Sequence, residues 1–290
     1  QDPEIWSKVT EHAWGVPIEP FTFSNALRRN TGTNVTGLYK EMATSLRNEW
    51  KSEIDKTTLT PFEKVSERRS SSYTDFLYPQ VLDDGRVIAW KRGIGDIDQF
   101  VEINAGSHKK IFTPGFVNDA GMLSAAAGKI VWSEYGYDPR WRVKTFSRLK
   151  IRDLKTHKVS VVGGRKDRLS APALSPDGKR IAAIRSDVSY MHSVVIFDAL
   201  SGKEVSVLPN PENHLFSMPR WADNNSLTVL KTTRQGRSVV GVKVSENTVE
   251  ELMPVTEENI GHALRWNQYV LFASPVNGVD NIYAYDVATR

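Results

Sequence analysis

Two turn signals recur in step through the last three quarters of the chain, and no other feature restricts its fold so sharply. The cleanest copy is 169–205, LSAPALSPDGKRIAAIRSDVSYMHSVVIFDALSGKEV. It predicts three short strands. One runs into Ser175-Pro176-Asp177-Gly178, one covers 179–184, and one covers 194–198 and runs into Leu200-Ser201-Gly202-Lys203. Proline presets φ for turn entry, aspartate bonds its own backbone, and glycine accepts positive φ at little cost. Ile181 and Ile184, then Val194, Val195, Ile196 and Phe197, form apolar runs dense enough for sheets covered on both faces.

The first turn recurs at Asp83-Asp84-Gly85, Ala127-Gly128, Asp177-Gly178, Asp223-Asn224-Asn225 and Asn267-Gln268, at spacings of 43, 50, 47 and 43 residues. The later turn recurs at Ala105-Gly106, Thr156-His157, Ser201-Gly202, Glu246-Asn247 and Thr289-Arg290, at spacings of 51, 45, 45 and 43. A proline introduces the first strand three times, at Pro79, Pro172 and Pro219. A period in the forties with about four strands per unit is the signature of propeller blades. A sandwich with accidental spacing would not repeat two turn signals in step. The fold class expected is therefore mainly β: a β-propeller of four-stranded blades over 73–290, with four full units and a partial fifth. Propellers of this kind carry roughly four to eight blades. The expectation is that these units belong to a six- or seven-bladed ring. A strand at 62–66 that closes five blades is the alternative.

Residues 1–56 differ. A helix is expected from Phe21 to Arg29, with Asn30-Thr31-Gly32 as a left-handed stop. A second is expected over 35–54, where Val35, Leu38, Tyr39, Met42, Leu46, Trp50 and Ile54 make one apolar stripe that reads as core. Residues 57–72, rich in Thr, Ser and charge, read as a linker.

The phrase Ala171-Pro172-Ala173-Leu174-Ser175-Pro176-Asp177-Gly178-Lys179, with Ile196-Phe197-Asp198 and Ser201-Gly202-Lys203, resembles the TolB-type propeller repeat, one of the WD-like bacterial repeats. Asn281-Ile282-Tyr283-Ala284-Tyr285-Asp286 repeats its third strand, and the resemblance covers about 73–290. It implies the fold and a periplasmic or outer-membrane-associated setting, while such repeats serve many roles. A second resemblance lies in Asn25-Ala26-Leu27-Arg28-Arg29-Asn30-Thr31-Gly32, Leu38-Tyr39-Lys40-Glu41-Met42 and Trp50, which are similar to the helical tail of gluzincin-type metallopeptidase domains. It implies a zinc-bearing part upstream of Gln1. The sequence opens without Met and ends abruptly, which suits a mature form or a fragment.

Several function classes are excluded. A net charge of +4 and a pI near 9.1 fall short of the clustered positive charge that nucleic acid demands. There are no cysteines, hence no disulfides, thiolate metal sites or cysteine nucleophiles. No HExxH or GxSxG occurs, and His12 lacks a second histidine at helical spacing, so neither a metal, a cofactor nor a catalytic site is expected.

The candidate residues are binding residues. Gly128 to His157 spans 29 residues, against 24, 22 and 22 in the later units, and the excess centres on Tyr137, Asp138, Arg140, Trp141 and Arg142. Those residue types are enriched at binding hot spots, although aromatics of a long hairpin also pack down on a neighbouring blade. Arg148, Lys150 and Arg152 alternate along one strand, and with Arg140, Arg142 and Lys144 they form a basic strip that suits an acidic partner or a membrane surface. The first strand of each blade lines a propeller's channel, which places Pro79, Gln80, Ala171, Met218, Arg220, Gly261 and His262 near the axis. Arg220 and His262 are candidates for holding an anion or a peptide carboxylate. The function expected is a non-catalytic module that binds a protein or peptide at the cell envelope. The alternatives are the accessory propeller of a metallopeptidase or of a prolyl-oligopeptidase-like hydrolase.

Overall fold

A computed structural model describes residues 3–16, 18–58, 60–66, 72–104, 106–117, 122–141 and 143–289. The chain divides into two compact units, Gln1–Glu63 and Lys64–Arg290.

The first unit holds α1 (Ile5–Gly15), α2 (Thr22–Thr31) and α3 (Val35–Lys56). Gly32 ends α2 in the left-handed region at φ 80°, its N–H returning to the Arg28 carbonyl. Asn34 caps α3 by accepting the Gly37 N–H at 2.8 Å. Helix α1 was not foreshadowed by the apolar pattern. It exists because Val9 packs on Ala26 and Leu27 of α2, while Trp6 stacks on Phe23 at 6.4 Å. The stripe on α3 is not core: Tyr39 is 64% exposed and Trp50 57%, and α3 has no buried residue. Helices α1 and α2 bury only Val9, Ala26 and Leu27 between them, and α3 gets no second layer within this unit.

The second unit is five antiparallel sheets, each in sequence order. The first is β1 (Thr74–Val81), β2 (Val87–Gly93), β3 (Asp96–Asn104) and β4 (Ser107–Phe112). The second is β5 (Ser124–Ala126), β6 (Lys129–Tyr137), β7 (Thr145–Asp153) and β8 (Val159–Val162). The third is β9 (Leu169–Leu174), β10 (Arg180–Ser186), β11 (His192–Asp198) and β12 (Glu204–Val207). The fourth is β13 (Leu215–Trp221), β14 (Ser226–Thr233), β15 (Gly236–Lys243) and β16 (Thr248–Thr256). The fifth has three strands, β17 (Gly261–Trp266), β18 (Tyr269–Ser274) and β19 (Asn281–Asp286). Four full blades and a partial fifth are present. The described residues hold no further sheet.

The repeated turns owe their recurrence to one device. Asp177 accepts from the Lys179 N–H at 3.0 Å, and Asp223 from the Ser226 N–H at 2.8 Å. At the later turn Asp153 takes the Thr156 N–H and Asp198 the Ser201 N–H, at 2.6 and 2.7 Å. Gly106, His157, Gly202 and Asn247 then turn the chain with positive φ.

Alternation through each sheet builds the cores. Ala182, Ile184, Val194 and Ile196 face the fourth sheet, while Ile181, Ala183, Val195 and Phe197 face the second. A third cluster joins the first and second sheets through Trp90, Phe100 and Trp132, and a fourth joins the last two through Leu230, Val239 and Val270. Burial on both faces is why these strands read as continuous apolar runs. Among the described residues no buried cluster joins the first and fifth sheets. The stretch at 62–66 does not complete the fifth sheet either: Ser66 makes a parallel bridge to Gly106, at the turn between β3 and β4.

The prolines lie inside the first strands rather than at their start. Each sits at a bulge. Register breaks between Leu77 and Gln80, and again between Ser217 and Arg220, so Pro79 and Pro219 withhold no ladder donor. The residue before each proline, Tyr78, Ala171 or Met218, has φ near 50°, and His262 repeats this in the fifth sheet without a proline. A non-glycine residue in that region costs about 1–2 kcal/mol. Ala171 is also buried, so Ala171→Gly sets the relieved strain against glycine's entropy and a lost buried methyl of about 0.8 kcal/mol, and is expected to leave stability within about 0.5 kcal/mol. A loss of about 1.5–2 kcal/mol in urea denaturation, the two costs with no strain relieved, would contradict this account of the bulge.

Candidate ligand-binding channel

The first strands of four sheets carry such a bulge, and the first strands of all five meet at one cavity. Its volume is about 440 Å³, and in its wall Gln80, Ser124, Ala173, Arg220 and His262 each come from a different sheet. Neighbouring first strands are locked together at this level. The Trp221 Nε1–H donates to the Ala173 carbonyl at 2.9 Å, and Ser124 Oγ accepts the Leu174 N–H at 3.0 Å. Tyr78 and His262 bring the first and fifth sheets into ring contact at 6.3 Å, and the His262 N–H points to the Met218 sulfur at 3.3 Å.

Arg220 and His262 are the cationic groups of this wall. Arg220 is part-buried, and no carboxylate pairs with it among the described residues. Burial pushes its guanidinium below the ordinary value, and Tyr78 opposes that shift. His262 is open to the channel, yet desolvation first and the Arg220 charge second hold its imidazole below the ordinary value. A desolvated guanidinium without a counter-ion, beside a histidine that a nearby anion would protonate, is an arrangement that receives a negative charge. Of the other residues expected near the axis, Ala171 is buried in the core between the third and fourth sheets, Met218 packs on that core, and Gly261 lies beside the Met218 sulfur. Tyr78 and Trp221 shape the site but gave no sign in the sequence, because each looks like an ordinary core aromatic there.

The long hairpin between β6 and β7 is placed away from the channel residues. Tyr137 meets Phe116 edge-on at 6.3 Å, and the Arg140 guanidinium lies 5.4 Å over the Trp141 ring. Asp138 accepts from the N–H groups of Arg140 and Trp141 at 2.9 and 3.1 Å, bonds that hold its carboxyl below the usual carboxylate range. It is a turn former. Arg142 lies outside the described residues. The basic strip is broken up by packing: Lys150 pairs with Glu134 at 2.6 Å, and Arg152 stacks on Phe112 at 4.8 Å while donating to the His157 carbonyl. Arg148 stays exposed.

Neither a family model nor a curated relative matches the chain by sequence. Solved structures do match. TolB from Acinetobacter baumannii aligns over 69% of this chain and 51% of its own, at 13% identity and a TM-score of 0.51. The fold is that of a TolB-like β-propeller. An oligogalacturonate lyase in complex with manganese aligns over 73% of this chain and 62% of its own, at 15% identity and TM-score 0.54. A puromycin hydrolase aligns over 74% and 36%, at 12% identity and TM-score 0.55. The propeller thus spans between about a third and two thirds of the lengths of these proteins. At such identities the likeness is one of fold. No helix is long and apolar enough to cross a membrane, and no group of metal-binding side chains gathers among the described residues.

Proposed function

We propose that this chain is a non-catalytic binding module that takes the carboxylate of a peptide or protein partner into the mouth of its axial channel. Arg220 forms the ion pair and His262 adds a second donor on protonation. The observation that carries this reading is Arg220 itself, desolvated and without an acidic partner among the described residues, in a cavity that all five first strands build. An unpaired buried charge lowers stability, so its position at the channel mouth favours use by a ligand. A bacterial envelope setting belongs to the same proposal and rests on the TolB likeness; cell fractionation tests it.

The experiment uses a short dye-labelled peptide whose only carboxylate is its C-terminus, with its amide as control. The free acid should bind more tightly than the amide. Arg220→Met should weaken the acid at least about 30-fold, as the loss of a buried charge pair does, and leave thermal stability unchanged or higher. Acid and amide binding alike would refute the reading. Affinity should also rise as pH falls from about 7 to 5, because binding the anion raises the depressed pKa of His262 while the carboxylate stays ionised. His262→Gln should flatten that rise. The charged and titratable groups beside His262 are Arg220 and Tyr78.

A second reading concerns the parent molecule. Among the described residues the second face of the first sheet buries only side chains of its own, Ala89, Val101 and Ile103, the fifth sheet shares a buried cluster with the fourth alone, and Ile282 on edge strand β19 is 80% exposed. Those faces favour further blades, up to six or seven. The open stripe on α3 favours a helical unit that ends a larger domain, such as a metallopeptidase, and a prolyl-peptidase parent is the alternative. The complete reading frame tests each: HExxH upstream, GxSxG downstream, or neither.

A further inference from the structure

We propose that the β6–β7 hairpin and the 163–168 turn form a second, lateral site for an acidic peptide segment, one that sets two or more carboxylates around an apolar side chain. The site is separate from the channel and rests on different residues.

A cavity of about 340 Å³ lies between these two segments. Phe146 is the buried part of its lining, and Tyr137 and Pro139 stand beside it. Three cations complete the lining: Arg148 from β7, and Arg165 and Lys166 from the turn. The Lys144 ammonium sits 6.0 Å over the Phe146 ring and adds a fourth positive charge. None of Arg148, Arg165 and Lys166 forms an ion pair among the described residues. Asp138 is the one acidic lining residue, and its Oδ1 is already committed to two backbone N–H groups.

The turn is built to hold its two cations outward. Gly163 takes φ 94°, Asp167 Oδ2 accepts the Gly164 N–H at 2.5 Å, and the Asp167 N–H returns to the Gly164 carbonyl at 3.2 Å. This leaves Arg165 and Lys166 at the tip. The turn is then clamped to β7: the Ser147 N–H reaches the Asp167 carbonyl at 2.9 Å, Arg168 Nε reaches the Thr145 carbonyl at 3.2 Å, and Ser147 and Arg168 form a parallel bridge. The cations are therefore carried on a fixed frame.

The class of ligand follows from this layout. Cations from two backbone segments around an aromatic floor match several spaced negative charges on an apolar body, which an acidic peptide carrying an apolar residue provides. A membrane surface would want a flat basic face, yet Lys150 and Arg152 of the same strand are drawn into Glu134 and Phe112. A single phosphate would leave the apolar floor unused.

The test is fluorescence anisotropy with the full chain and a rhodamine-labelled, acetylated and amidated peptide of alternating glutamate and phenylalanine, which has no free C-terminus for the channel. Replacing both turn residues, R165E with K166E, should weaken binding at least about tenfold, and raising salt should weaken the wild type. Arg220→Met should change it less than twofold. Both substituted side chains are exposed at a turn held by Asp167, so the thermal midpoint should stay in place and report that the fold is intact. Unchanged affinity in the double variant overturns the proposal. Displacement of the peptide by millimolar inorganic phosphate reduces the site to a simple anion site and overturns it too. Stronger binding to phosphatidylglycerol vesicles than to the peptide, lost in the same variant, would assign the surface to a membrane instead.

Discussion

Trp132→Ala should lower the unfolding free energy by about 3–5 kcal/mol and the thermal midpoint by about 10 °C. Trp132 is 1% exposed and lies at the seam of the first two sheets, 5.0 Å from Phe100 and 5.3 Å from Phe112. Those rings belong to β3 and β4, so the truncated side chain leaves a cavity between two blades rather than within one. Rigid sheets cannot close it. The loss also strips Glu134 of a donor, since Trp132 Nε1–H bonds its Oε1 at 2.7 Å. Trp132→Phe should cost about 1–2 kcal/mol, because most of the volume returns without the N–H. Trp266→Ala is the control: Trp266 is 58% exposed, and its loss should stay within about 0.5 kcal/mol. Chemical denaturation of the three variants, read at a common temperature, checks the order. A Trp132→Ala effect no larger than that of Trp266→Ala would contradict the packing described.

Glu134→Ala should cost about 3 kcal/mol or more, because it leaves Lys150, the Trp132 N–H and the Gly115 N–H facing a site built for a carboxylate. Glu134 accepts from Lys150 at 2.6 Å and from the Gly115 N–H at 3.0 Å, and so ties the loop after β4 to β6 and β7. Burial pushes its carboxyl up, and the three donors together outweigh that and hold it below the ordinary glutamate value. The sign of the pH dependence follows. A carboxyl depressed in the folded state contributes stability that is fully present above its unfolded pKa, about 4.3, and is lost as pH falls toward the lower folded value. Asp153, Asp177, Asp198 and Asp223 at the turns are depressed as well and add to the same acid loss. Glu134→Gln should therefore remove part of the stability gained between about pH 3 and 6, measured as the midpoint against pH. Because Trp132 and Glu134 share a hydrogen bond, the double variant should fall short of the sum of the single ones.

The legible features are those with a local cause. A turn that needs Asp to bond its backbone and a residue at positive φ leaves its mark within four residues. That is why Thr156-His157, Ser201-Gly202 and Thr289-Arg290 could be set in register across units as different as the second and the fifth. The bulges were legible only in part. Pro79, Pro172 and Pro219 were visible, but as strand openers, since a proline tolerated within a strand depends on register with the partner strand. The apolar stripe of α3 was visible as a stripe and misread as core, because a periodic pattern reports a face and not what covers it.

The two candidate sites divide in the same way. Arg220 and His262 were found by carrying the blade register onto their positions. Their electrostatic state came from desolvation at an axis where five distant segments meet. Arg148, Lys150 and Arg152 look equivalent along β7, yet Glu134 takes one and Phe112 another, and only Arg148 joins Arg165 and Lys166 from a turn that gave no signal. By itself the sequence determined the repeat, the blade count within the chain and the position of four of the five first strands, because backbone turn chemistry and two-residue alternation act over a few bonds. Which charges are paired, which are left open and where they gather was decided by the tertiary structure alone, because desolvation and ion pairing depend on neighbours that the chain brings together from tens of residues away.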